Sequence, residues 1–284
     1  MILERFNRNI LLFGVEGQTK ISASGVAVVG VGGLGTHVVQ QLALLGVGRL
    51  ALIDHEELDT TNLNRYVGAR YNDPIPGTLK VDIAHRMAQE INPSMIVRRI
   101  PHSLMSAEAF EAIVDSDYVF GCLDNEGSRL VLNELCAAYS KPYFDLSSEI
   151  IPGNPPIYGG RICIAWDGHG CLMCFQDLDI GEAQADLESP DSRLNREALY
   201  GVPRPTLGQA GPSVVSINGA IASLAVTEFM VGVTGIRPPK RFITYRADLV
   251  KLTFREDPAA DCYYCKGIRG KGDAANVQRY IKRI

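Results

Sequence analysis

Gly30-Val-Gly32-Gly33-Leu-Gly35 follows the β-branched run Val26-Ala-Val-Val, and Asp54 closes a second apolar run, Arg49-Leu-Ala-Leu-Ile. Glycines at this spacing let a backbone come close to phosphate, and an acid after the next strand suits ribose hydroxyls. The pattern alone does not separate NAD from ATP, and its default points to NAD. The residues that follow change the balance. Asp54-His-Glu56-Glu57-Leu-Asp59-Thr-Thr61-Asn62-Leu-Asn64-Arg65 is a dense polar segment, and Lys80 lies downstream in Pro76-Gly77-Thr-Leu-Lys80. Asp124-Asn125 follows Tyr118-Val-Phe-Gly-Cys122, with Arg129 one helical turn on. Taken singly, Arg65 and Lys80 read as surface charges and Asp124 as a turn or cap residue. Together, near the C-terminal ends of strands, they suit a triphosphate. Hydride transfer has no need of so many cations, whereas nucleotidyl transfer relies on Arg, Lys and metal to neutralise charge on the phosphates.

A second constellation is sulfur. Of seven cysteines, four form two CxxC pairs, Cys171/Cys174 and Cys262/Cys265. That spacing is one of metal ligation, and four thiolates around Zn²⁺ leave no open position, so the metal would be structural. The alternatives are a redox disulfide in one pair, or His169 as a ligand. Cys122 and Cys163 fall in predicted strands and Cys136 in a predicted helix, which reads as three buried structural thiols.

These residues need a frame. Strands are predicted at 26–30, 49–54, 118–122 and 142–146, and helices at 36–45, 80–91 and 128–139. Gly46 to Gly48 stop the first helix and Asn92-Pro93 the second. Such alternation predicts an α/β fold with a Rossmann-like, doubly wound, mostly parallel sheet. After Gly160 the pattern changes: residues 161–166 and 242–255 read as longer strands, the second broken at Ala247-Asp248, extending the sheet in antiparallel fashion. Residues 176–205 are polar, acidic and rich in proline, and read as a mobile crossover loop. The expected organisation is a single domain over 1–284, with a nucleotide-binding half (1–160) and an antiparallel, zinc-binding half (161–284).

Bulk properties narrow the classes. Residues are 46% hydrophobic and 21% charged, ordinary for a globular chain. The formal net charge is -4 and no Lys/Arg block is present, which argues against nucleic acid as a partner. Residues 1–17 lack the uninterrupted apolar core of a secretory signal. The apolar stretch 210–236 is interrupted by Asn218 and Glu228 and reads as a buried helix rather than a membrane span. A cytoplasmic protein is the expectation.

In this order the motifs resemble the bacterial MoeB/ThiF adenylyltransferases, the family that includes the adenylation domains of ubiquitin-activating enzymes. The resemblance covers most of the chain. It is carried by Arg5-Phe-Asn-Arg8-Asn, the glycine loop, Gly46-Val-Gly48 before Asp54, Thr61-Asn62-Leu-Asn64-Arg65 and Gly77-Thr-Leu-Lys80. Asn92-Pro93, Cys122-Leu-Asp124-Asn125 with Arg129, and both CxxC pairs continue it. The resemblance implies that Asp54 binds the ATP ribose, that Asn62, Arg65 and Lys80 grip phosphates, and that Asp124 holds Mg²⁺. It further implies a homodimer in which Arg8 reaches the phosphates of the neighbouring subunit's ATP. The implied reaction is adenylation of a C-terminal carboxylate, on a ubiquitin-like or sulfur-carrier protein ending in glycine, with release of pyrophosphate. A ribosomal peptide is the alternative substrate; an NAD-dependent dehydrogenase or an inactive partner subunit would leave the set Arg8, Arg65, Lys80 and Asp124 unexplained. Tyr66 stands where the family usually has Gln. Leu207 stands where its thiol-bearing members place a cysteine, so adenylation without a thioester or persulfide on this chain is expected.

Overall fold

β-Branched and aliphatic runs bounded by glycine or short polar turns build the centre of the molecule. The structure is a computed structural model and describes residues 2–188, 211–259 and 261–281. Its strands are β1 (Gly25–Val29), β2 (Arg49–Ile53), β3 (Ile96–Ile100), β4 (Tyr118–Gly121), β5 (Tyr143–Ile151), β6 (Ile157–Ala165), β7 (Phe242–Arg246) and β8 (Lys251–Arg255). They form one sheet in the order β3-β2-β1-β4-β5-β6-β7-β8. Pairing is parallel from β3 to β5 and antiparallel from β5 to β8. The helices are α1 (Ile2–Arg5), α2 (Asn7–Ala23), α3 (Gly33–Leu45), α4 (Lys80–Ile91), α5 (Ala107–Asp115), α6 (Glu126–Ala138), α7 (Ile180–Leu187) and α8 (Val215–Thr234).

β1 is buried throughout because helices cover both of its faces, and alternate residues serve different cores. Val26 and Val28 pack with Val39 and Leu42 of α3 and with Ile221, Ala225 and Phe229 of α8. Ala27 and Val29 share the other core with Phe110 and Ile113 of α5 and with Leu132 and Leu135 of α6. Phe120 stacks on Phe144 at 4.6 Å, and Phe229 meets both edge-on. Truncating Phe229, which is fully buried, would cost about 3–5 kcal/mol. α8 is long and apolar enough to cross a membrane, yet it lies against β5, β6, α2 and α3. Its Glu228 is answered by Arg237 at 2.6 Å and by the Lys240 amide.

The predicted elements are present to within a few residues, with three differences. β5 and β6 form a long hairpin, so the change of character expected after Gly160 begins within β5, and residue 160 lies inside β6. β3 and α5, and at the N-terminus α1 and α2, occupy stretches for which no element was expected. β3 is an edge strand reading Ile-Val-Arg-Arg-Ile, and its arginines, exposed to solvent, break the apolar run that marks buried strands. The predicted loop 176–205 contains α7, capped by Asp179, whose carboxylate accepts the Glu182 amide at 2.9 Å. Residues 189–205 of that loop, and Leu207, lie outside the described residues.

Candidate active site

The strand order reverses between β1 and β4, and the two chains that leave their C-terminal ends diverge there. A cleft of about 520 Å³ opens at that point. Gly30, Gly32, Gly33, Asp54, Asn62, Arg65, Lys80 and Asp124, all named from sequence, line it.

Gly30 has φ +85, and a Cβ there would stand 2.5 Å from the Cys122 carbonyl oxygen. Gly35 packs the first turn of α3 so tightly on the loop that a Cβ would meet the Gly30 oxygen at 2.1 Å. Gly35 therefore shapes the loop from behind and does not line the cleft. α3 starts at the loop, directing its free N–H groups and positive dipole end to the cleft, a setting for anions.

Asp54 accepts the Val31 amide at 2.7 Å and the Glu56 amide at 2.9 Å, which ties the end of β2 to the glycine loop. Burial pushes its carboxyl above the usual carboxylate range, against the pull of those donors and of Lys80. Asn62 ends a short helical turn in which Asp59 accepts the Thr61 amide and the Asn62 carboxamide oxygen accepts the Asp59 amide at 3.1 Å. Its amide nitrogen remains available to donate. Arg65 donates to the Thr61 carbonyl and the Asn64 side chain, and makes no ion pair among the described residues. Its stem crosses the glycine loop, where a Cβ on Gly33 would press on it at 3.0 Å.

Lys80 is the first residue of α4, and its ammonium pairs with Glu56, whose carboxyl is held below its usual range by that hydrogen bond. An ammonium has three donors, so a phosphate can be met without breaking this pair. Tyr66 is buried against Leu58 and Ile83 and donates to the Lys80 carbonyl at 2.7 Å, so it braces the base of the lysine. Asp124 is exposed just beyond β4, accepts only the Asn125 amide group at 3.2 Å, and meets no cation among the described residues. Asn125 caps α6 by accepting the Ser128 amide at 2.8 Å.

Arg8 stands on the exposed face of α2 and is not among the residues lining the cleft. Glu56, Asn218, Ser147, Ser148 and Glu149 also line it, though the sequence reading gave them no role. Asn218, which with Glu228 interrupts the apolar pattern of α8, was the one with a visible signal. It is 1% exposed and accepts the Ser148 hydroxyl at 2.8 Å. A second cavity of about 310 Å³ meets the cleft at Ser147 and Glu149 and runs over β5, β6 and β7.

The four CxxC cysteines come together on the other core's side. Their Sγ atoms all lie within 4.8 Å of one another, with neighbouring pairs at 3.4–3.6 Å. A tetrahedral site with Zn–S of ~2.3 Å requires S···S of ~3.8 Å, so the set fits a four-thiolate metal. None is bridged, and His169 is not in the group. Cys136 and Cys163 are buried as expected, whereas Cys122 is half-buried and lines the cleft; burial nonetheless pushes all three thiols well up, away from nucleophilic use.

The chain is 34% identical to the "Adenylyltransferase and sulfurtransferase MOCS3-1" of Zea mays over 176 residues, 61% of this chain and 36% of that protein. It is 33% identical to MOCS3 of Mus musculus over 172 residues, 60% and 36% of the two. The match thus spans about a third of these relatives' length. Among solved structures, E. coli MccB with ATP superposes with a TM-score of 0.68 at 20% identity, over 92% of this chain and 74% of MccB. PaaA gives 0.65 at 20% identity, over 90% and 73%. At that identity these likenesses speak for the fold alone. The ThiF family model matches residues 6–263, and with that span, nearly the whole of its length, the chain belongs to the ThiF family.

Proposed function

We propose that this protein uses Mg²⁺ and ATP to adenylate the C-terminal carboxylate of a ubiquitin-like or sulfur-carrier protein, releasing pyrophosphate. One observation carries the reading: an acid, an amide and two cations from separate segments converge on the glycine loop, with Asp124 open opposite them. In this reading Asp54 receives the ribose hydroxyls, and the loop amides, Asn62, Arg65 and Lys80 take the phosphates. Asp124 would hold Mg²⁺, which would supply charge neutralisation for the departing pyrophosphate. A carboxylate oxygen bonds to the α-phosphorus as the bridge to the β-phosphate breaks, and the electron pair leaves on pyrophosphate. The nucleophile is already ionised, so no general base is required; positioning and charge stabilisation are the catalysis. The cavity meeting the cleft at Ser147 and Glu149 offers an extended C-terminus a path to the nucleotide.

In this reading the cysteine tetrad carries a structural Zn²⁺, and the enzyme works as a cytoplasmic homodimer. Leu11, Leu12 and Val15 of α2 and Leu44 of α3 are exposed apolar residues that a second copy would cover, with Arg8 on the same helix reaching the partner's site. A ribosomal peptide is the second reading, favoured by a fold shared with MccB, which has been solved with MccA. ATP–pyrophosphate exchange, run with carrier proteins ending in glycine and with peptides, tests both. Exchange driven by the former is expected; exchange only with peptides would replace the first reading with the second, and NAD binding in place of ATP would end both.

A further inference from the structure

Beneath the cleft floor runs a set of buried charges that the reaction just described does not use. Asp145 of β5 is fully buried, takes the Arg161 guanidinium on one oxygen, and accepts the Tyr143 hydroxyl on the other. Arg161, which pairs with Ser147 across the β5–β6 hairpin and so lies diagonal to Asp145, reaches on to Asp177, which follows the first CxxC pair. On the cleft side, Nε of Arg129 faces Asp145 at 3.9 Å and is buried without a hydrogen-bond partner. The other two nitrogens of Arg129 are committed, one to Glu126 at 2.7 Å and one to the Leu123 carbonyl at 2.9 Å. That carbonyl belongs to the peptide unit joining Leu123 to Asp124, so Arg129 grips the backbone that presents the Asp124 carboxylate.

A guanidinium on a flexible stem keeps such a grip only if its charge is held in place. In a buried setting the attraction of a carboxylate 4 Å away is several times what it would be in water. We infer that Asp145 is a positioning residue: it anchors Arg129, and through the Leu123 carbonyl it fixes Asp124 to receive Mg²⁺. The inference rests on the adenylation reading, in which Asp124 is the metal ligand. Without Asp145 the Nε side of Arg129 faces no carboxylate, and its guanidinium, tied only at Glu126, slips from the carbonyl whether or not Arg161 keeps its charge.

Calorimetric titration of ATP at a series of Mg²⁺ concentrations tests this without any carrier. Asp145→Asn should need about ten-fold more Mg²⁺ for the same gain in ATP affinity, the scale typical of lost outer partners of metal ligands, with metal-free ATP affinity unchanged. Because that variant unbalances a buried network, Asp145→Asn/Arg161→Gln is the decisive partner: it removes one charge of each sign and should fold while keeping the Mg²⁺ defect. Arg129→Lys, which keeps the charge but loses the two-pronged grip, should show the same defect. A wild-type Mg²⁺ requirement in the folded double variant or in Arg129→Lys overturns the inference and leaves the adenylation reading standing. Absence of Mg²⁺-dependent ATP binding in the unaltered protein overturns both.

Discussion

The parallel and antiparallel parts of the sheet treat charge in opposite ways. At the C-terminal ends of β1, β2 and β4, Arg65 and Asp124 have no oppositely charged partner among the described residues, and Lys80 has one, Glu56, that leaves donors free. Across β5 and β6, Arg161 sits between Asp145 and Asp177, and the cysteines face one another. The first region keeps its electrostatic demand for a ligand; the second satisfies it internally and holds the frame. Burying a charge is tolerable only when it is paired, while a charge left open at a cleft keeps its full attraction for phosphate or metal.

Substitutions in the two regions should therefore fail differently. Asp124→Ala should lower pyrophosphate exchange by at least ~100-fold, on the scale of removing a main charge stabiliser, with little change in thermal unfolding, since Asp124 is exposed. A large drop in melting temperature would place Asp124 with the frame instead. Cys171→Ser combined with Cys262→Ser should do the reverse, abolishing bound metal and destabilising the packing of residues 262–281 on α6. Structural zinc supplies roughly 10–16 kcal/mol in small fingers, and a smaller share is expected in a core of this size. Elemental analysis of the unaltered protein should find one zinc per chain; a disulfide and no metal would remove the contrast.

Arg8→Ala sharpens the comparison by asking where the open region ends. It should lose exchange although Arg8 does not line its own chain's cleft. Mixed with Asp124→Ala protein, it should regain part of the activity, because one hybrid site holds both residues. No recovery after verified subunit exchange would confine the site to one chain. The smallest effect belongs to Tyr66→Phe, which removes one hydrogen bond to the Lys80 carbonyl at a cost of about 0.5–1.5 kcal/mol in stability. Exchange should fall only modestly, with the change in KM for ATP rather than in kcat; a loss as large as that of Asp124→Ala would make Tyr66 part of the site.

Several features were legible in the residues because they depend on near neighbours in the chain. A β-branched run, glycines and an amphipathic helix specify a strand, a tight loop and a helix in succession, since backbone freedom and side-chain period act over a few residues. The same holds for Lys80 at the first turn of α4, closed by Asn92-Pro93, and for each CxxC turn. β3 and α7 were missed for a related reason: an edge strand and a two-turn helix bury too little to leave a continuous apolar pattern.

What tertiary structure decided was the company each residue keeps. Gly33 leaves room for Arg65, Glu56 rather than solvent meets Lys80, and Asn218 on α8 reaches the cleft at Ser148, 70 residues earlier in the chain. Asp145 read only as part of a strand until β6 brought Arg161 to it from the diagonal position and α6 turned Arg129 toward it. Local sequence specifies which backbone conformations are affordable, but a charge's state depends on what is packed within a few ångströms, and that is set by strand order and helix docking across the whole chain.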